Sequence, residues 1–527
     1  MILITSAAYV SNELKIEFGD IPPCLLPIGN RTLLELQTEA LRKTSNEQIF
    51  VSLPDDYMLS DIERQVIKNL KVEIIPVPPR LSLAESVLYS LNIMHDFTDS
   101  LGSFKLLHGD TLMSDFINDD DVIAVAPSTD DYNWEKENYA RDNLVWCGYF
   151  TFSMPRTLVK CLTLSQKNFV QAVRRYDQCL SLKRMHAQNW YDLGHLNTYF
   201  LSRSRITTQR AFNAMRIENG IVWKSGTNSK KIAAESNWFK NIPNIIKPYI
   251  PQLIEDGVDP NTDRHFYVLE YLPYNPLNEI FVHGKNTEFF WSRIFTLTRE
   301  YLNLSNIAFA SINQPNLIQA IALDAEELYN TKTFIRLTEY TSKNNISLHE
   351  PVIYNNIKLP SLHEIATECV NKTLELPIVP GILHGDLCFS NILFNSRLNS
   401  IKVLDPRGVN QNGELTIFGD QKYDLAKSCH SVIGLYDYII SGRFQLKGDL
   451  FTGATIDFNI DGRINNIQQD FYEQDFLNGI SVKQIMPLTT LLFLSMLPLH
   501  DDRPDRQKAM LVNALRLYST YIFNAEY

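Results

Sequence analysis

The first 127 residues alternate short apolar segments with segments that carry apolar residues at helical spacing. They predict strand, helix, strand, helix, strand, helix, strand, strand, with the sequences MILITSAAY, TLLELQTEALRK, QIFVSLP, DIERQVIKNL, KVEIIPVP, LAESVLYSLNIM, SFKLLHGD and DVIAVAP. This order is typical of an α/β domain with a mostly parallel sheet covered by helices. Ligands of such sheets bind beyond the carboxyl ends of the strands, where Asp110 follows KLLHG.

Three segments in this part of the chain resemble sugar-phosphate nucleotidyltransferases: PPCLLPIGNRTLLELQ, the HGD ending at Asp110, and WYDLGH around Asp192. The resemblance implies that Asp110 and Asp192 bind a metal ion. Taken alone, Asp110 also fits a strand-end turn and Asp192 a helix N-cap. Two features depart from the family, because SAAYVSNELKIEFGD replaces its glycine-rich phosphate loop and Pro23 replaces its lysine. Either Lys15 or Arg31 supplies the missing charge, or the domain keeps the fold for binding or packing.

A second distinctive stretch, HGDLCFSNILFNSRLNSIKVLDPRG, begins at His384. Its two apolar runs predict a β-hairpin, with Asn and Ser residues at the turn. Asp386 and Asn391 then lie on the loop entering the hairpin and Asp405 on the loop leaving it, so the three side chains can converge. Phosphoryl transfer uses such a set: a carboxylate accepts the proton of the attacking hydroxyl, while an amide oxygen and a second carboxylate hold magnesium on the phosphates.

The pattern HGDxxxxN followed by a later Asp resembles the phosphotransferase family that includes aminoglycoside and choline kinases. The resemblance implies that Asp386 is the catalytic base, that Asn391 and Asp405 bind Mg²⁺, and that ATP is the phosphoryl donor. His384 would brace the loop. Arg407 is either a phosphate contact or a salt-bridge partner. A protein kinase is disfavoured because no APE-type activation segment follows Asp405.

Upstream, AFNAMRIENGIVWKSG predicts a hairpin with an Asn-Gly turn, and SKKIAAESNWFKNI predicts the helix after it. A lysine on a strand and a glutamate on the next helix can form the ion pair that positions the nucleotide phosphates of a kinase. We assign these roles to Lys224 and Glu235. Glu218, Lys230 and Lys231 are the competing candidates.

The segment HFYVLEYLPYNPLNEIF resembles the hinge between kinase lobes. Backbone groups near Glu270, Tyr271 and Leu272 would then bind the adenine. Without its neighbours, the same segment would be explained as an edge strand closed by prolines. Three later segments have helical periodicity and predict a helical lobe: FFWSRIFTLTREYLNL, AEELYNTKTFIRLTEYTSK and SLHEIATECVNKTLEL.

Three polar features of the helical lobe remain. Asp424 begins a predicted helix that it could cap, and the family resemblance implies that it anchors the catalytic loop. His430 on that helix is expected to be a packed side chain. The cluster at 500–503, His-Asp-Asp-Arg, either lines the acceptor pocket or forms a solvated turn between helices.

Composition limits the partners and the compartment. The chain has 527 residues, of which 45% are hydrophobic, so it can form several cores, and its net charge of −11 gives no field that attracts nucleic acid. Its seven scattered cysteines contain no CxxC pair, which argues against a disulfide framework or a zinc site. The start MILITSAAYV has no basic leader, and the longest later apolar run, 487–499, is too short to span a bilayer. We therefore expect a cytoplasmic protein with neither a nucleic-acid partner nor a membrane insertion.

Together these features predict a nucleotidyltransferase-like domain at 1–205, a kinase-like N-lobe with hinge at 206–280 and a helical C-lobe at 281–527. The leading hypothesis is an ATP- and Mg²⁺-dependent kinase that phosphorylates a hydroxyl of a sugar or amino alcohol. Fusion to a nucleotidyltransferase-like domain implies a precursor of a surface polysaccharide, such as capsule or lipopolysaccharide. The alternatives are a bifunctional kinase and nucleotidyltransferase making a nucleotide-activated sugar, and a catalytically silent scaffold or sensor.

Overall fold

A computed structural model describes residues 1–95, 102–128, 132, 134–138, 142–208, 215–312 and 315–523. The chain divides into two compact units, called unit 1 and unit 2 here. Unit 1 comprises Met1–Thr207 with His283–Asn286, and unit 2 comprises Thr208–Val282 with Thr287–Tyr527. Within the described ranges, no helix combines the length and the apolar character needed to cross a membrane.

Unit 1 alternates strands and helices. Its strands are β1 (Ile2–Thr5), β2 (Pro27–Ile28), β3 (Arg31–Thr32), β4 (Ile49–Pro54), β5 (Val72–Val77), β6 (Phe104–His108), β7 (Thr111–Met113), β8 (Val122–Pro127), β9 (Lys136–Asn138), β10 (Asp142–Phe152), β11 (Lys183–His186) and β12 (Trp190–Asp192). Its helices are α1 (Asn12–Phe18), α2 (Leu33–Arg42), α3 (Asp61–Asn69), α4 (Leu83–His95), α5 (Pro155–Leu164), α6 (Phe169–Leu180) and α7 (Leu196–Thr208).

The main sheet of unit 1 has the order β11-β8-β10-β6-β1-β4-β5, with β9 paired to β10. Strands β6, β1, β4 and β5 run parallel, as do β8 and β11, whereas β10 is antiparallel to its neighbours. The crossovers between parallel strands carry helices, because two parallel strands cannot be joined by a tight turn. The predicted α/β class with a mostly parallel sheet is confirmed.

Both faces of this sheet are buried. In β1, Leu3 packs into one apolar core, whereas Ile2 and Ile4 pack into the other. Because their residues are buried on both faces, the strands of such sheets are nearly continuous apolar runs. These runs allow the strands to be distinguished from the helices between them in the sequence. Beyond the main sheet, β12 pairs with β7 so that Asp192 lies opposite Thr111.

Unit 2 contains two structurally different parts. Its strands are β13 (Met215–Glu218), β14 (Ile221–Ser225), β15 (Leu253–Asp259), β16 (Arg264–Glu270), β17 (Asn275–Pro276), β18 (Pro351–Tyr354), β19 (Ile357–Ser361), β20 (Pro380–Ile382), β21 (Ile392–Asn395), β22 (Ser400–Val403), β23 (Phe418–Asp420), β24 (Gln445–Lys447) and β25 (Thr455–Asp457). Its helices are α8 (Ser229–Asn241), α9 (Leu277–His283), α10 (Glu288–Ala310), α11 (Pro315–Glu326), α12 (Lys332–Lys343), α13 (Leu362–Leu374), α14 (Lys422–Val432), α15 (Tyr436–Ile440), α16 (Gly462–Glu473), α17 (Val482–Ser495) and α18 (Pro504–Tyr518).

The first part is an antiparallel sheet of order β13-β14-β16-β15, with α8 following β14. The predicted Asn-Gly hairpin joins β13 to β14, and Asn219 and Gly220 have φ angles of 52° and 76°. Positive φ at both turn residues gives the turn whose twist matches that of the strands. The second part is mainly helical, so unit 2 has the predicted α+β bilobal architecture.

The hairpin predicted from the stretch at His384 is formed by β21 and β22, in a register that pairs Ile392 with Val403. The helix predicted over AEELYNTKTFIRLTEYTSK differs from expectation, because residues Glu327–Thr331 form a π-helical turn between α11 and α12. Within this wider turn Tyr329 is buried and donates a hydrogen bond to Asp420 at 3.0 Å. A helical periodicity in sequence does not reveal such a one-turn change of pitch.

Candidate active sites

Lys224 and Glu235 form a buried ion pair in unit 2. Lys224 Nζ lies 2.8 Å from Glu235 Oε2 and 2.8 Å from Asp405 Oδ1. Tyr267 on β16 also donates to Glu235 Oε2, at 2.7 Å. Burial lowers the pKa of Lys224, but Asp405 and Glu235 outweigh it and raise that pKa above its usual value. The lysine is therefore held as a cation that points from the strand toward Asp405. This residue belongs to the stretch at 384–408, called the catalytic stretch here because the predicted catalytic residues lie in it.

The competing candidates lie elsewhere. Glu218 is exposed at the end of β13, and Lys230 is exposed in the first turn of α8. Lys231 reaches the other oxygen of Glu235 at 3.6 Å from an exposed position. Only Lys224 joins the buried glutamate to Asp405 among the described residues.

The predicted hinge follows β16 directly. Glu270 donates its backbone N–H to Gln252 O at 3.0 Å, and Tyr271 donates to Gly220 O at 2.8 Å. Within the described part of the chain, the N–H of Leu272 makes no hydrogen bond, while its carbonyl accepts from Tyr274. Leu272 N–H is thus the backbone donor of this segment that is available to a ligand.

The three residues of the catalytic stretch lie at one end of its hairpin. Asn391 Nδ2 donates to Asp386 Oδ2 at 3.0 Å and to Asp386 O at 2.9 Å. Leu404 N–H donates to Asn391 O at 2.9 Å, which places Asp405 beside Asn391. Asp405 has a left-handed backbone with φ of 57°, a conformation that aspartate tolerates better than most residues. The hairpin register therefore brings Asp386, Asn391 and Asp405 together.

Asp424 holds the catalytic loop by its backbone. Its two carboxylate oxygens accept from His384 N–H at 2.8 Å and from Gly385 N–H at 2.7 Å. Asp424 is therefore an anchor rather than the helix cap, since the N-cap position of α14 is Gln421. Burial raises the pKa of Asp424 to about 7, although these two hydrogen bonds lower it.

His384 is a structural brace. Its Nε2 lies 2.8 Å from Leu404 O, and its Nδ1 accepts from Asp386 N–H at 3.2 Å. Burial lowers its pKa to about 4, so the ring is neutral at pH 7. Trp238 of α8 packs edge-on against this ring and donates to Leu383 O at 2.8 Å. The catalytic loop is thus fastened to the helix that carries Glu235.

Lys427 is a site residue that the sequence analysis missed. It lies on α14, and its Nζ is 2.9 Å from Asp386 Oδ1. Partial desolvation raises the pKa of Asp386, but the Lys427 ammonium outweighs it and holds that pKa below the usual range. The same pairing raises the pKa of Lys427 against the effect of burial. The sequence signal for Lys427 is its position three residues after Asp424, which places both side chains on one face of α14.

The remaining polar candidates separate into packed and exposed residues. Arg407 has no ion pair within the described chain; it donates to Gly385 O at 2.8 Å and lies over the Tyr423 ring at 4.4 Å. His430 is a packed side chain, between the rings of Tyr436 and Phe493 at 4.2 and 4.3 Å. In the cluster at 500–503 the two aspartates and the arginine are exposed, as a solvated turn requires.

The catalytic stretch has the donors that a magnesium–nucleotide complex needs. No group of three or more His, Cys, Asp or Glu side chains suited to a metal occurs in the described ranges. Mg²⁺ at phosphoryl-transfer sites, however, takes one or two protein ligands and fills its shell with phosphate oxygens and water. Asn391 directs its N–H₂ at Asp386, while its oxygen accepts from the Ser390 hydroxyl at 3.5 Å and keeps a second lone pair for a ligand. The Asp405 side chain is 49% exposed.

In unit 1, Asp110 and Asp192 are neighbours. Leu193 N–H donates to Asp110 O at 2.9 Å, and Asp192 ends β12 rather than capping a helix. Asp192 is buried and accepts from Thr198, while His195 Nδ1 lies 3.3 Å from its carboxylate. Burial and the Asp110 charge raise the pKa of Asp192. A bound cation would stabilise the ionised form of Asp192 beside the second carboxylate.

The cations proposed for unit 1 are paired with carboxylates instead. Lys15 lies 2.7 Å from Asp20, and Arg31 lies 2.6 Å from Glu39. In the loop after β1, Tyr9 donates to Asp56 at 2.8 Å. The two carboxylates of the family pattern are therefore close together, while both candidate cations have another partner.

Comparison with known proteins gives structural similarity only. No protein-family model matches the sequence, and no curated protein matches it. Similar solved structures include the nucleoside-diphosphate-sugar pyrophosphorylase from Vibrio cholerae RC9, with 15% identity over 38% of this chain and 99% of that chain and a TM-score of 0.32. The inositol-1-phosphate CTP transferase from T. maritima shows 18% identity over 40% of this chain and 97% of that chain, with a TM-score of 0.30.

An aminoglycoside-3'-phosphotransferase of type VIII shows 12% identity over 56% of this chain and 99% of that chain, with a TM-score of 0.30. The solved structures similar to this chain therefore include nucleotidyltransferases, which match its N-terminal part, and aminoglycoside phosphotransferases, which match a larger share of it.

Proposed function

We propose that unit 2 is an ATP- and Mg²⁺-dependent kinase that phosphorylates a hydroxyl group of a small molecule. The single observation that carries the proposal is the chain of contacts from Glu235 through Lys224 to Asp405. It joins the sheet-bearing lobe to the hairpin that presents Asp386 and Asn391. The sequence resemblance suggests a sugar or an amino alcohol as the acceptor. It suggests a precursor of a surface polysaccharide as the product.

In this proposal each side chain has a separate task. Lys224, oriented by Glu235, binds donor phosphates, and Leu272 N–H binds the adenine. Asn391 and Asp405 hold Mg²⁺, which neutralises the phosphate charge when bound. Asp386 orients the acceptor hydroxyl and accepts its proton as the phosphorus–oxygen bond forms. Because Lys427 keeps Asp386 ionised, this carboxylate is ready to accept a proton at neutral pH.

The test is ATP turnover by the full chain with a panel of sugars and amino alcohols, read as ADP release and by phosphorus NMR of the product. Wild type is expected to phosphorylate at least one acceptor, and Asp386→Asn to lose activity by about 10²-fold or more. Lys240→Met is the matched control, because this exposed lysine of α8 pairs with Asp256 on the surface. Nucleotide binding without turnover of any acceptor would count against the proposal.

A second candidate function is nucleotidyl transfer by unit 1, favoured by the adjacent carboxylates Asp110 and Asp192. The full chain would then join the kinase product to a nucleotide and release pyrophosphate. Incubating that product with each NTP tests this, with Asp110→Asn and Asp192→Asn as inactive controls. Absence of pyrophosphate with every NTP would leave unit 1 with a binding or packing role, and the kinase proposal would be unaffected.

A further inference from the structure

From two cations of α12 that have no acidic partner within ion-pair distance in the described ranges, we propose that the acceptor carries an anionic group, a phosphate or a carboxylate, that Lys332 and Arg336 bind. The inference rests on the proposed kinase function and narrows its acceptor. It disfavours simple amino alcohols, whose positive charge these cations would repel.

The two α12 cations are placed for joint binding. Lys332 and Arg336 are four residues apart, so they lie on one face of the helix. Lys332 Nζ reaches Gln411 Oε1 at 2.7 Å, and Arg336 Nη1 reaches Ser495 O at 3.3 Å. Both partners are neutral oxygen acceptors. Each cation thus has hydrogen-bonding capacity left for a ligand.

Both cations interact electrostatically with Arg407, and Lys332 also does so with Lys427. Arg407 stacks on Tyr423 at 4.4 Å, and Lys427 lies 5.8 Å from the same ring. Lys427 ends the series with its contact to Asp386. Arg407 and Lys427 therefore share the Tyr423 ring, and Lys332 and Arg336 lie near enough to interact electrostatically with Arg407. These four residues form the cation cluster.

Within the described ranges, Lys427 is the member of this cluster that pairs with a carboxylate, that of Asp386. In the part of the chain that the structure describes, Lys332, Arg336 and Arg407 have no acidic partner within ion-pair distance; Asp324 and Glu339 are the nearby acidic groups that act on Lys332 and Arg336. Burial, together with Arg407 and Arg336, lowers the pKa of Lys332 to about 8. Partly burying cations without counter-charges is unfavourable. A bound anion would reduce the repulsion between these neighbouring cations.

The position of these cations indicates that they bind the acceptor rather than the nucleotide donor. Lys224, which binds donor phosphates in the proposed site, is on β14 of the antiparallel sheet and contacts Asp405, the proposed metal ligand. Helix α12 instead packs on α17 of the helical lobe. An anion held by α12 would lie on the helical-lobe side of Asp386, where the acceptor hydroxyl must approach.

The experiment separates the two sites by filling the donor site first. The full chain is saturated with Mg²⁺ and AMP-PNP, and inorganic phosphate is then titrated by calorimetry. Wild type is expected to bind phosphate, and the double variant Lys332→Met/Arg336→Met to bind it at least tenfold more weakly. Lys343→Met is the matched control, since this exposed lysine of α12 pairs with Asp501, and its affinity should stay within twofold of wild type.

Equal phosphate affinity in wild type and double variant, or no phosphate binding to the nucleotide-loaded protein, overturns the inference. The single variant Lys332→Gln, expected to weaken binding at least threefold, replaces the double variant if that protein is unfolded by circular dichroism. If AMP-PNP does not bind, the kinase proposal is contradicted. The phosphate titration of wild type and variant still tests whether Lys332 and Arg336 bind an anion.

Displacement of bound phosphate distinguishes the sources of the anion. If only glucose 6-phosphate displaces the bound phosphate, the anionic group of the acceptor is a phosphate. If only glucuronate displaces it, the anionic group is a carboxylate. Displacement by both supports the shared anionic chemistry. Stronger displacement by glucose or glucosamine than by either acid contradicts it.

Discussion

The ammonium group of Lys427 lies 2.9 Å from the carboxylate of Asp386, although the two residues belong to different elements of the helical lobe. The contact couples two properties of the proposed site. It keeps Asp386 ionised despite partial desolvation, and it places a cation where phosphoryl charge would develop. A buried cation at such a position stabilises a transition state more strongly than the same cation in water.

Replacing Lys427 is expected to change both the rate and its pH dependence. In Lys427→Met the charge that lowers the pKa of Asp386 is gone, and desolvation then raises that pKa. The acidic limb of kcat/KM should move upward by about one unit or more, and kcat should fall by about 10²-fold. Rate profiles from pH 3 to 8 measure this, because the wild-type limb is expected below the usual aspartate pKa. Lys427→Arg should keep the wild-type limb, and an unmoved limb in the Met variant contradicts the coupling.

Removing one member of the buried pair should be worse for stability than removing both. Lys224→Met leaves Glu235 buried without its main counter-charge, which costs about 3–5 kcal/mol in such pairs. Lys224→Met/Glu235→Leu leaves no unpaired charge and should recover much of that loss while remaining inactive. Urea unfolding and ATP turnover give the two readouts. Recovered activity in the double variant would exclude Lys224 from the phosphate site.

Gly408 is expected to tolerate no side chain. Its φ is +68°, and a Cβ there would lie 2.2 Å from the Ala234 carbonyl of α8, next to Glu235. Gly408→Ala must therefore displace the helix and should destabilise the protein by well over 1 kcal/mol. Gly413→Ala is the control, with a φ of +81° but nothing within 4 Å of its Cβ, so it should lose only about 1 kcal/mol. Equal thermal shifts would show that the close approach to α8 is unimportant.

Asp424 should make stability depend on pH in a definite direction. Its folded-state pKa is raised to about 7, above an unfolded value of about 3.9. The folded state therefore binds the proton more tightly, and stability falls as pH rises between these values. The advantage of wild type over Asp424→Asn should be smaller at pH 8 than at pH 5 in denaturant unfolding. An advantage that grows with pH contradicts the raised pKa.

Local sequence signals predicted much of this structure. The strand and helix alternation of unit 1 and the hairpin holding Asn391 follow from periodicity and turn residues, which are local. Lys224 and Glu235 were found because a strand lysine and the next helix lie close in sequence. Lys332 and Arg336 could not be predicted because α12 is far in sequence from the stretch at 384–408, and the local signal for Lys427 was its spacing from Asp424. The π-helical turn at Glu327–Thr331 is also set by tertiary contacts, such as that of Tyr329 with Asp420.

The most direct test of the central claim is a crystal structure of the full chain with Mg²⁺ and AMP-PNP. We expect the metal bound to Asn391 Oδ1 and the Asp405 carboxylate, Lys224 Nζ on the donor phosphates, and Asp386 facing the γ-phosphate. A nucleotide bound away from these residues, or a metal that contacts neither Asn391 nor Asp405, would contradict the proposed phosphotransferase site.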